Sequence, residues 1–310
     1  MLLKAPAKIN LTLRILSKRA DGYHEISSLM RAIRLFDEVE IALTPGDAPR
    51  ISLRTDMAGV PEGPDNLAYR AAGLALETWR GKAESESTRE GAQYIDIAIK
   101  KRIPMAAGLG GGSSDAAAVL LALAKAWKPE AGLSEVAALG ARLGADVPFC
   151  VYACAAANPE IGYGGAGAAI AEGVGERVSP IIAPERGHVL LVKPPLGTRA
   201  GDVYALYDEG RDAMGDSQAA ISSENDLAAP CAKAWPVVAE VLSTLRGICR
   251  EEGANEAKVQ LSGSGPTVFA YFESGRASGS HETMAAMAAR IHKRAIDAFP
   301  GMFVQLAETV

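Results

Sequence analysis

The segment Pro104-Met-Ala-Ala-Gly-Leu-Gly-Gly-Gly-Ser-Ser-Asp115 constrains the fold of this chain more than any other. Glycines stand at 108, 110, 111 and 112, and two serines follow them. Without a Cβ, the backbone there can take left-handed torsions and approach a ligand closely. Tyr94 to Lys100 (YIDIAIK), just upstream, alternates apolar and polar residues and predicts a strand. Ser113 to Trp127, just downstream, is rich in Ala and Leu and predicts a helix that stops before Pro129. A glycine turn opening a helix leaves unpaired amides at the positive end of the helix dipole, which is an anion site. The loop's own amides can add a concave nest. Ser113 and Ser114 cap the helix, hydrogen-bond a phosphate, or help hold a metal ion. The plain alternative is a flexible turn with a serine cap. Two better-known phosphate loops do not fit. A Walker-type loop needs Lys after its last glycine, where Ser113 stands, and the dinucleotide fingerprint lacks its final glycine at the same residue.

Around this core the chain mixes strands and helices. Ala7, Ile9, Leu11 and Leu13 alternate with Lys8, Asn10, Thr12 and Arg14, predicting a half-buried opening strand, and Arg19 to Gly22 reads as a turn. Strands are also expected at 37–43, 50–53, 188–193, 258–262, 267–272 and 302–307. Helices are expected at 66–79, 234–252 and 281–298, with Ser134 capping a further helix that Gly144 ends. Residues 80–93 are polar and Ser-rich and read as a mobile surface loop. Residues 155–170 read as an irregular glycine-rich insertion with no assigned role. Strands paired as hairpins among helices point to α+β rather than a doubly wound sheet. A division near residue 180 gives two domains, 1–180 and 181–310.

Composition removes several classes. The 310 residues are 48% apolar and 22% charged, enough to bury a core without a metal or disulfide staple. The formal charge of −5 argues against a nucleic-acid-coating protein. No run of about 20 apolar residues offers a membrane span, and the opening MLLKAPAKINLTLRI lacks the apolar core of a signal peptide. Cys150, Cys154, Cys231 and Cys249 form no CxxC pair, and His188, His281 and His292 fall at no ligand-like spacing from them. The expectation is a reduced, cytoplasmic protein with neither nucleic-acid nor membrane partner, either a monomer or a weak homodimer.

Three further segments carry chemistry-bearing residues. Lys8 and Asn10 share the polar face of the first strand, where they either meet a ligand or are simply solvated. Asp146, in Leu-Gly-Ala-Asp-Val-Pro-Phe, follows the Gly144 stop. Because Pro148 biases Val147 toward extended torsions, Asp146 reads as held in a short constrained loop, either as a turn cap or as a working carboxylate. Leu261-Ser-Gly-Ser-Gly-Pro-Thr267 is a second glycine-serine loop, either a hairpin turn or a second wall of the same anion site.

Pro6-Ala-Lys-Ile-Asn10, Pro104 to Ser114 and Leu261 to Pro266, in this order, resemble the three motifs of the galactokinase, homoserine kinase, mevalonate kinase and phosphomevalonate kinase (GHMP) superfamily. Within it, Arg19-Ala-Asp-Gly-Tyr-His24, Gly-Leu-Gly-Gly-Gly-Ser-Ser114 and Leu-Gly-Ala-Asp-Val-Pro148 resemble the family of 4-diphosphocytidyl-2-C-methyl-D-erythritol kinases. The resemblance spans nearly the whole chain and is thinnest between 200 and 255.

That likeness implies an α+β fold of two lobes with the active site in the cleft between them. It also implies transfer of the ATP γ-phosphoryl group to the 2-hydroxyl of a cytidyl tetrol, in the non-mevalonate route to isoprenoid precursors. By the same likeness Asp146 is the general base and Lys8 polarises the acceptor or the phosphoryl oxygens. Pro104, Met105, Ala106, Ala107, Gly108, Leu109, Gly110, Gly111, Gly112, Ser113 and Ser114 hold the ATP phosphates, with Mg²⁺ shared by those phosphates and no protein ligand assigned to it. Asn66, Leu67 and Lys101 lie near the adenosine. Asn10 orients the tetrol or its diphosphate. Tyr23 and His24 bind cytosine, by stacking and by hydrogen bonding, and Tyr204 is the second stacking aromatic. Without the resemblance, Tyr23 and His24 read as a turn aromatic and a surface histidine. Two other functions stand beside this one: another small-molecule kinase of the superfamily, of homoserine or mevalonate type, and a non-catalytic metabolite sensor of the same fold. The Asp-Gly-Tyr-His run separates the first of these, and the joint presence of Lys8, Asp146 and the glycine loop argues against the second.

Overall fold

The structure, a computed structural model, describes residues 1–80, 93–182, 186–214, 224–273 and 283–310. The chain divides into two compact units, each assembled from more than one stretch. The first comprises Met1–Lys8, Leu35–Met105 and Gly110–Ile181, and the second Ile9–Arg34, Ala106–Leu109 and Ile182–Val310. Two long strands, β1 (Leu2–Lys18) and β2 (His24–Pro45), contribute residues to both.

In the first unit, β3 (Arg50–Thr55), β4 (Gln93–Lys100), β5 (Ala168–Gly173) and β6 (Arg177–Pro180) join β2 in a sheet of order β3-β4-β2-β5-β6, with β1 paired to β2. β4 runs antiparallel to β2, with Val39 opposite Ile99 and Ile41 opposite Ile97. It runs parallel to β3, with Ile51 opposite Ile95. The alternation read from the sequence puts Ile95, Ile97 and Ile99 on the buried face. Among the described residues this unit has four α-helices: α1 (Leu67–Ala75), α2 (Gly111–Trp127), α3 (Leu133–Ala141) and α4 (Val147–Ala157). Every residue of α2 from Ser114 to Ala124 is buried, and α2 packs on both α1 and α4. A helix enclosed on all sides needs a sequence that is apolar all round, and the small alanines let its neighbours approach closely.

The second unit has a fully antiparallel sheet, order β10-β7-β9-β8, from β7 (Gly187–Lys193), β8 (Lys258–Leu261), β9 (Val268–Glu273) and β10 (Phe303–Glu308). Its helices are α5 (Ala200–Met214), α6 (Ala228–Ala234), α7 (Pro236–Glu251) and α8 (Met284–Ala298). α7 sets Val238, Val241, Leu242, Leu245 and Ile248 along one face, and these join Leu190, Val192 and Phe272 in one core. Mostly antiparallel sheets with packed helices are the α+β class expected from the sequence.

The main differences from the sequence reading lie at element ends. Asp146 is not in a constrained loop: it is the N-cap of α4, which begins at Val147. Proline inside the first helical turn loses nothing, because the amide there has no intrahelical partner. The stretch 155–170 is not irregular throughout. It holds the end of α4, a short 3₁₀ turn at Pro159–Ile161 and the start of β5, and Ala166 N donates back to Tyr152 O at 3.2 Å. Ser134 lies inside α3, whose N-cap is Gly132. α2 starts at Gly111, with Gly110 as its N-cap and no side-chain cap bond, so neither Ser113 nor Ser114 caps it. The helix expected at 234–252 is two helices, divided at Trp235, where the chain turns extended before Pro236. The helix from Asn66 ends at Ala75 and passes into a wider turn over Leu76–Arg80. The loop expected at 80–93 falls largely, and His281 wholly, outside the described residues.

Candidate active site

The glycine loop delivers the long helix α2 with its N-terminus open. α1 and α8 are capped by the side chains of Asn66 and Thr283, but α2 is preceded by Gly110, which has no side chain to offer. Ser114 N makes the first helical bond, to Gly110 O at 2.9 Å, so the amides of Gly111, Gly112 and Ser113 precede the helical ladder. Gly110 holds φ at 70°, and a Cβ on it would lie 2.8 Å from Lys8 Cγ. Glycine is therefore required twice here, by torsion and by the lysine stem passing over the loop.

That lysine projects from β1, and its Nζ lies 3.3 Å from Asp146 Oδ2. The Lys8 side chain is 5% exposed and that of Asp146 37%. The cation is thus enclosed, and the carboxylate beside it remains open to solvent. Lys8, Gly110 and Asp146 all belong to the first unit, brought together from β1, the glycine loop and the head of α4.

Beneath the loop lies a buried ion cluster. Lys101 Nζ donates to Asp37 Oδ2 at 2.5 Å and to Asp115 Oδ2 at 2.6 Å, and all three side chains are nearly inaccessible. Asp37 Oδ1 also accepts from the backbone amides of Arg102 and Ile103, at 2.5 and 2.9 Å. Two carboxylates against one ammonium leave a charge uncompensated. Burial, with Asp37 adding to it, drives the Asp115 pKa up to about 7. Burial alone would lower Lys101, but Asp115 and Asp37 outweigh it and hold the ammonium above the ordinary lysine value. Asp115 Oδ1 is buried with no hydrogen-bond partner. The cluster ties β2, the end of β4 and the first turn of α2 together at the place where the loop begins.

The stretch 106–109 clusters with the second unit and is buttressed there by the Leu261–Thr267 loop. Gly108 has φ 73°, and a Cβ would sit 2.2 Å from Ser262 O. Ser262 Oγ donates to Gly108 O at 3.0 Å, and Thr198 Oγ1 donates to Gly265 O at 2.8 Å. The second glycine-serine loop thus packs on the backbone of the first.

Also in the second unit, His24 at the start of β2 is mostly buried and Tyr23 is exposed. The His24 ring stacks on Tyr204 of α5, with centroids 4.9 Å apart and planes at 21°, and meets Tyr207 edge-on at 6.2 Å. His24 Nε2 is 2.8 Å from Asp208 Oδ1, and Lys18 Nζ donates to Asp208 Oδ2 at 2.7 Å. Asn10, from β1, donates through Nδ2 to Ser28 Oγ at 2.8 Å.

The expected site residues therefore divide. Lys8, Asp146 and the 110–113 amides converge, and His24 and Tyr204 meet. Lys101 is occupied by two carboxylates. Asn66 spends its side chain on the α1 cap, accepting from Ala68 N and donating to Pro61 O, both at 2.8 Å, and Leu67 lies at the first position of that helix. Ser114 is buried with its hydroxyl 3.4 Å from Cys154 Sγ. Among the described residues no three acidic, histidine or cysteine side chains stand together as a metal cage. Asp37, Asp115, Lys18, Asp208 and Ser262 were not singled out by sequence. Of these only Asp115 and Ser262 carried a signal, each as part of a glycine-serine segment.

The family described as GHMP kinases N terminal domain matches residues 66–154. A 4-diphosphocytidyl-2-C-methyl-D-erythritol kinase of Geobacillus thermodenitrificans (strain NG80-2) is 41% identical over 280 residues, covering 87% of each chain. One of Shouchella clausii (strain KSM-K16) is 38% identical, covering 87% of this chain and 85% of its own. A solved 4-(cytidine 5'-diphospho)-2C-methyl-D-erythritol kinase aligns over 99% of both chains with TM-score 0.68 and 30% identity. The homoserine kinase of Cytophaga hutchinsonii shares the fold at TM-score 0.60 and 17% identity, covering 100% of this chain and 94% of its own. An open helix N-terminus over a lysine–aspartate pair, with relatives this similar along nearly the full length, identifies the chain as a small-molecule kinase that belongs to the 4-diphosphocytidyl-2-C-methyl-D-erythritol kinase family of the GHMP kinases.

Proposed function

We propose that the chain transfers the γ-phosphoryl group of ATP to the 2-hydroxyl of 4-diphosphocytidyl-2-C-methyl-D-erythritol, with Asp146 as base and Lys8 as the adjoining cation. The observation that carries this reading is the 3.3 Å pair of Lys8 and Asp146 beside the Gly110 turn. Phosphoryl transfer is mostly positioning and charge stabilisation. The acceptor oxygen attacks the γ-phosphorus, the bond to the β-bridging oxygen breaks, and the hydroxyl proton passes to an Asp146 oxygen. Lys8, a compact cation held by its buried stem, faces the charge that develops on the transferring oxygens. The amides of Gly111, Gly112 and Ser113 bind the nucleotide phosphates.

Lys101 fits a supporting role better than a nucleotide contact, because Asp37 and Asp115 take up its ammonium. Asn66 acts likewise, by starting α1. His24 addresses the cytosine edge, Tyr23 and Tyr204 supply aromatic faces, and Asn10 orients the tetrol end. Mg²⁺, when bound together with the nucleotide, would supply charge neutralisation at the phosphates.

A coupled nucleotide-release assay offering the cytidyl tetrol, homoserine and mevalonate as acceptors tests the reading. ADP release is expected with the cytidyl tetrol alone. Release with homoserine or mevalonate, and none with the cytidyl tetrol, would replace it with another kinase of the superfamily.

A further inference from the structure

Ala106 is the only residue other than glycine, among the described residues, that holds a positive φ, at 48°. A side chain makes that left-handed turn costly, so its surroundings must hold it there. The stretch that does so follows β7, in the second unit, which also contains residues 106–109. A Cβ built on Gly197 would stand 2.8 Å from the Ala106 methyl. Gly197 has no positive φ of its own, so this contact, and not its torsion, requires it to lack a side chain. The next residue reaches the same turn: Thr198 N donates to Ala106 O at 3.4 Å. Thr198 is buried, and its Oγ1 donates to Gly265 O at 2.8 Å, with Ser264 O at 3.3 Å. The Leu261–Thr267 loop that accepts this bond also holds Gly108, through the 3.0 Å bond from Ser262 Oγ to Gly108 O. Residues 106–109 are thus gripped at two points, and the Thr198 hydroxyl joins the two segments that grip them.

We propose that Gly197 and Thr198 are positioning residues that hold the entry to the glycine loop in its nucleotide-binding shape and so set the affinity for ATP, acting through the loop rather than on the ligand. This rests on the reading of residues 104–114 as the ATP phosphate loop. A glycine-rich loop left to itself samples many shapes, and ordering it on binding lowers affinity. Here the ordering is done at folding: Gly197 leaves room for the Ala106 methyl, and Thr198 fixes the Ala106 carbonyl while its hydroxyl anchors both to the second glycine-serine loop. The pair 106 and 197 is also reciprocal, because a methyl at one position demands its absence at the other. Moving the methyl from Ala106 to Gly197 is therefore tolerated where adding a second methyl is not.

The experiment measures the Kd of ATP and of CDP for the wild-type chain, T198V, T198S, G197A, A106G, the double variant G197A/A106G, and G110A. T198V keeps the shape and loses the hydroxyl. It is expected to bind ATP about three- to tenfold more weakly and CDP as the wild type does, and T198S, which keeps the hydroxyl, to restore ATP affinity. G197A is expected to weaken ATP at least as much, and A106G to suppress that loss, so that the double variant binds ATP within about twofold of A106G alone. Wild-type ATP affinity in both T198V and G197A would overturn the proposal. So would losses of equal size for ATP and CDP, which a general loosening of this unit would produce, or a G197A effect undiminished in the A106G background. G110A tests the reading underneath. If ATP binds G110A as it binds wild type, the loop is not the ATP site and the proposal falls with that reading. If G110A weakens ATP while T198V and G197A do not, the proposal alone falls.

Discussion

Lys8 Nζ and Asp146 Oδ2 stand 3.3 Å apart with unequal access to solvent: the lysine side chain is 5% exposed and the aspartate 37%. The arrangement suits a reaction in which the cation stays fixed and the carboxylate must meet an incoming hydroxyl. β1 carries the lysine on a strand whose other residues are mostly buried, so its stem has little freedom. The head of α4 holds the aspartate on the chain that turns at Gly144.

Asp146→Asn keeps the size of the side chain and removes its capacity to take a proton. Turnover is expected to fall about 10²- to 10⁴-fold, the usual contribution of a positioned base, with the Kd of ATP within a few-fold of wild type. Single-turnover kinetics and nucleotide titration separate the two quantities. Turnover within a few-fold of wild type would reject Asp146 as the base.

Gly110→Ala meets two obstacles together. The residue would have to hold φ 70°, at about 1–2 kcal/mol, and its methyl would lie 2.8 Å from Lys8 Cγ. Relief requires the loop or the lysine to move, and both belong to the proposed site. KM for ATP is expected to rise and kcat to fall in the same variant, while the thermal midpoint drops by only a few degrees. Unchanged kcat and KM would mean that neither the torsion nor the lysine stem matters.

What the sequence disclosed followed from how local each signal is. The alternation of Tyr94–Lys100 and the Ala/Leu run after Gly112 are short-range patterns, and both elements stand where expected. Lys8, Asp146 and the glycine loop were recognisable as motif residues. Their meeting was implied only by the family resemblance and not by any local pattern, because it depends on three segments that pack only in the folded first unit. Asp37 gave no signal: in Asp-Glu-Val-Glu it looks like one more solvated acid. Its burial is created by Lys101, which is 64 residues away. Asp208 was hidden in the same way, inside an acidic helical stretch, until α5 brought it against His24. The α4 boundary was missed for another reason. Pro148 has two local meanings, an extended residue before it or a first helical turn around it, and the packing of the helix on α2 and α3 selects the second.

His24→Ala removes the proposed base-edge contact and leaves the glycine loop untouched. Affinity for the cytidyl substrate is expected to fall about ten- to a hundredfold and that for ATP to stay near wild type. Titration of each ligand separately checks this. Equal losses for both would break the cytosine assignment.

Lys101→Met would strand two buried carboxylates. Breaking a buried pair by removing one partner typically costs about 3–5 kcal/mol, because the remaining charge has no compensation. The expected outcome is a urea midpoint shifted down by that equivalent. Lys101→Arg, still cationic, should lose less. If Lys101 instead served the nucleotide directly, the methionine variant would unfold like wild type and fail only in ATP binding.

Asp115 supplies a pH test of the same cluster. Burial and Asp37 hold its pKa at about 7 in the fold, against the ordinary 3.8 expected of the unfolded chain. The folded state therefore keeps a proton that the unfolded state has already released. Stability from this group is fully present below about pH 4, falls as the pH rises toward 7, and levels off above it. Asp115→Asn cannot titrate, so the thermal midpoint of wild type minus that of D115N is expected to decline between about pH 5 and pH 8. Taking the difference cancels the titration of other groups common to both proteins. A difference that stays flat over that range would mean that Asp115 remains ionised beside Lys101 throughout, and would reject the raised pKa assigned to it.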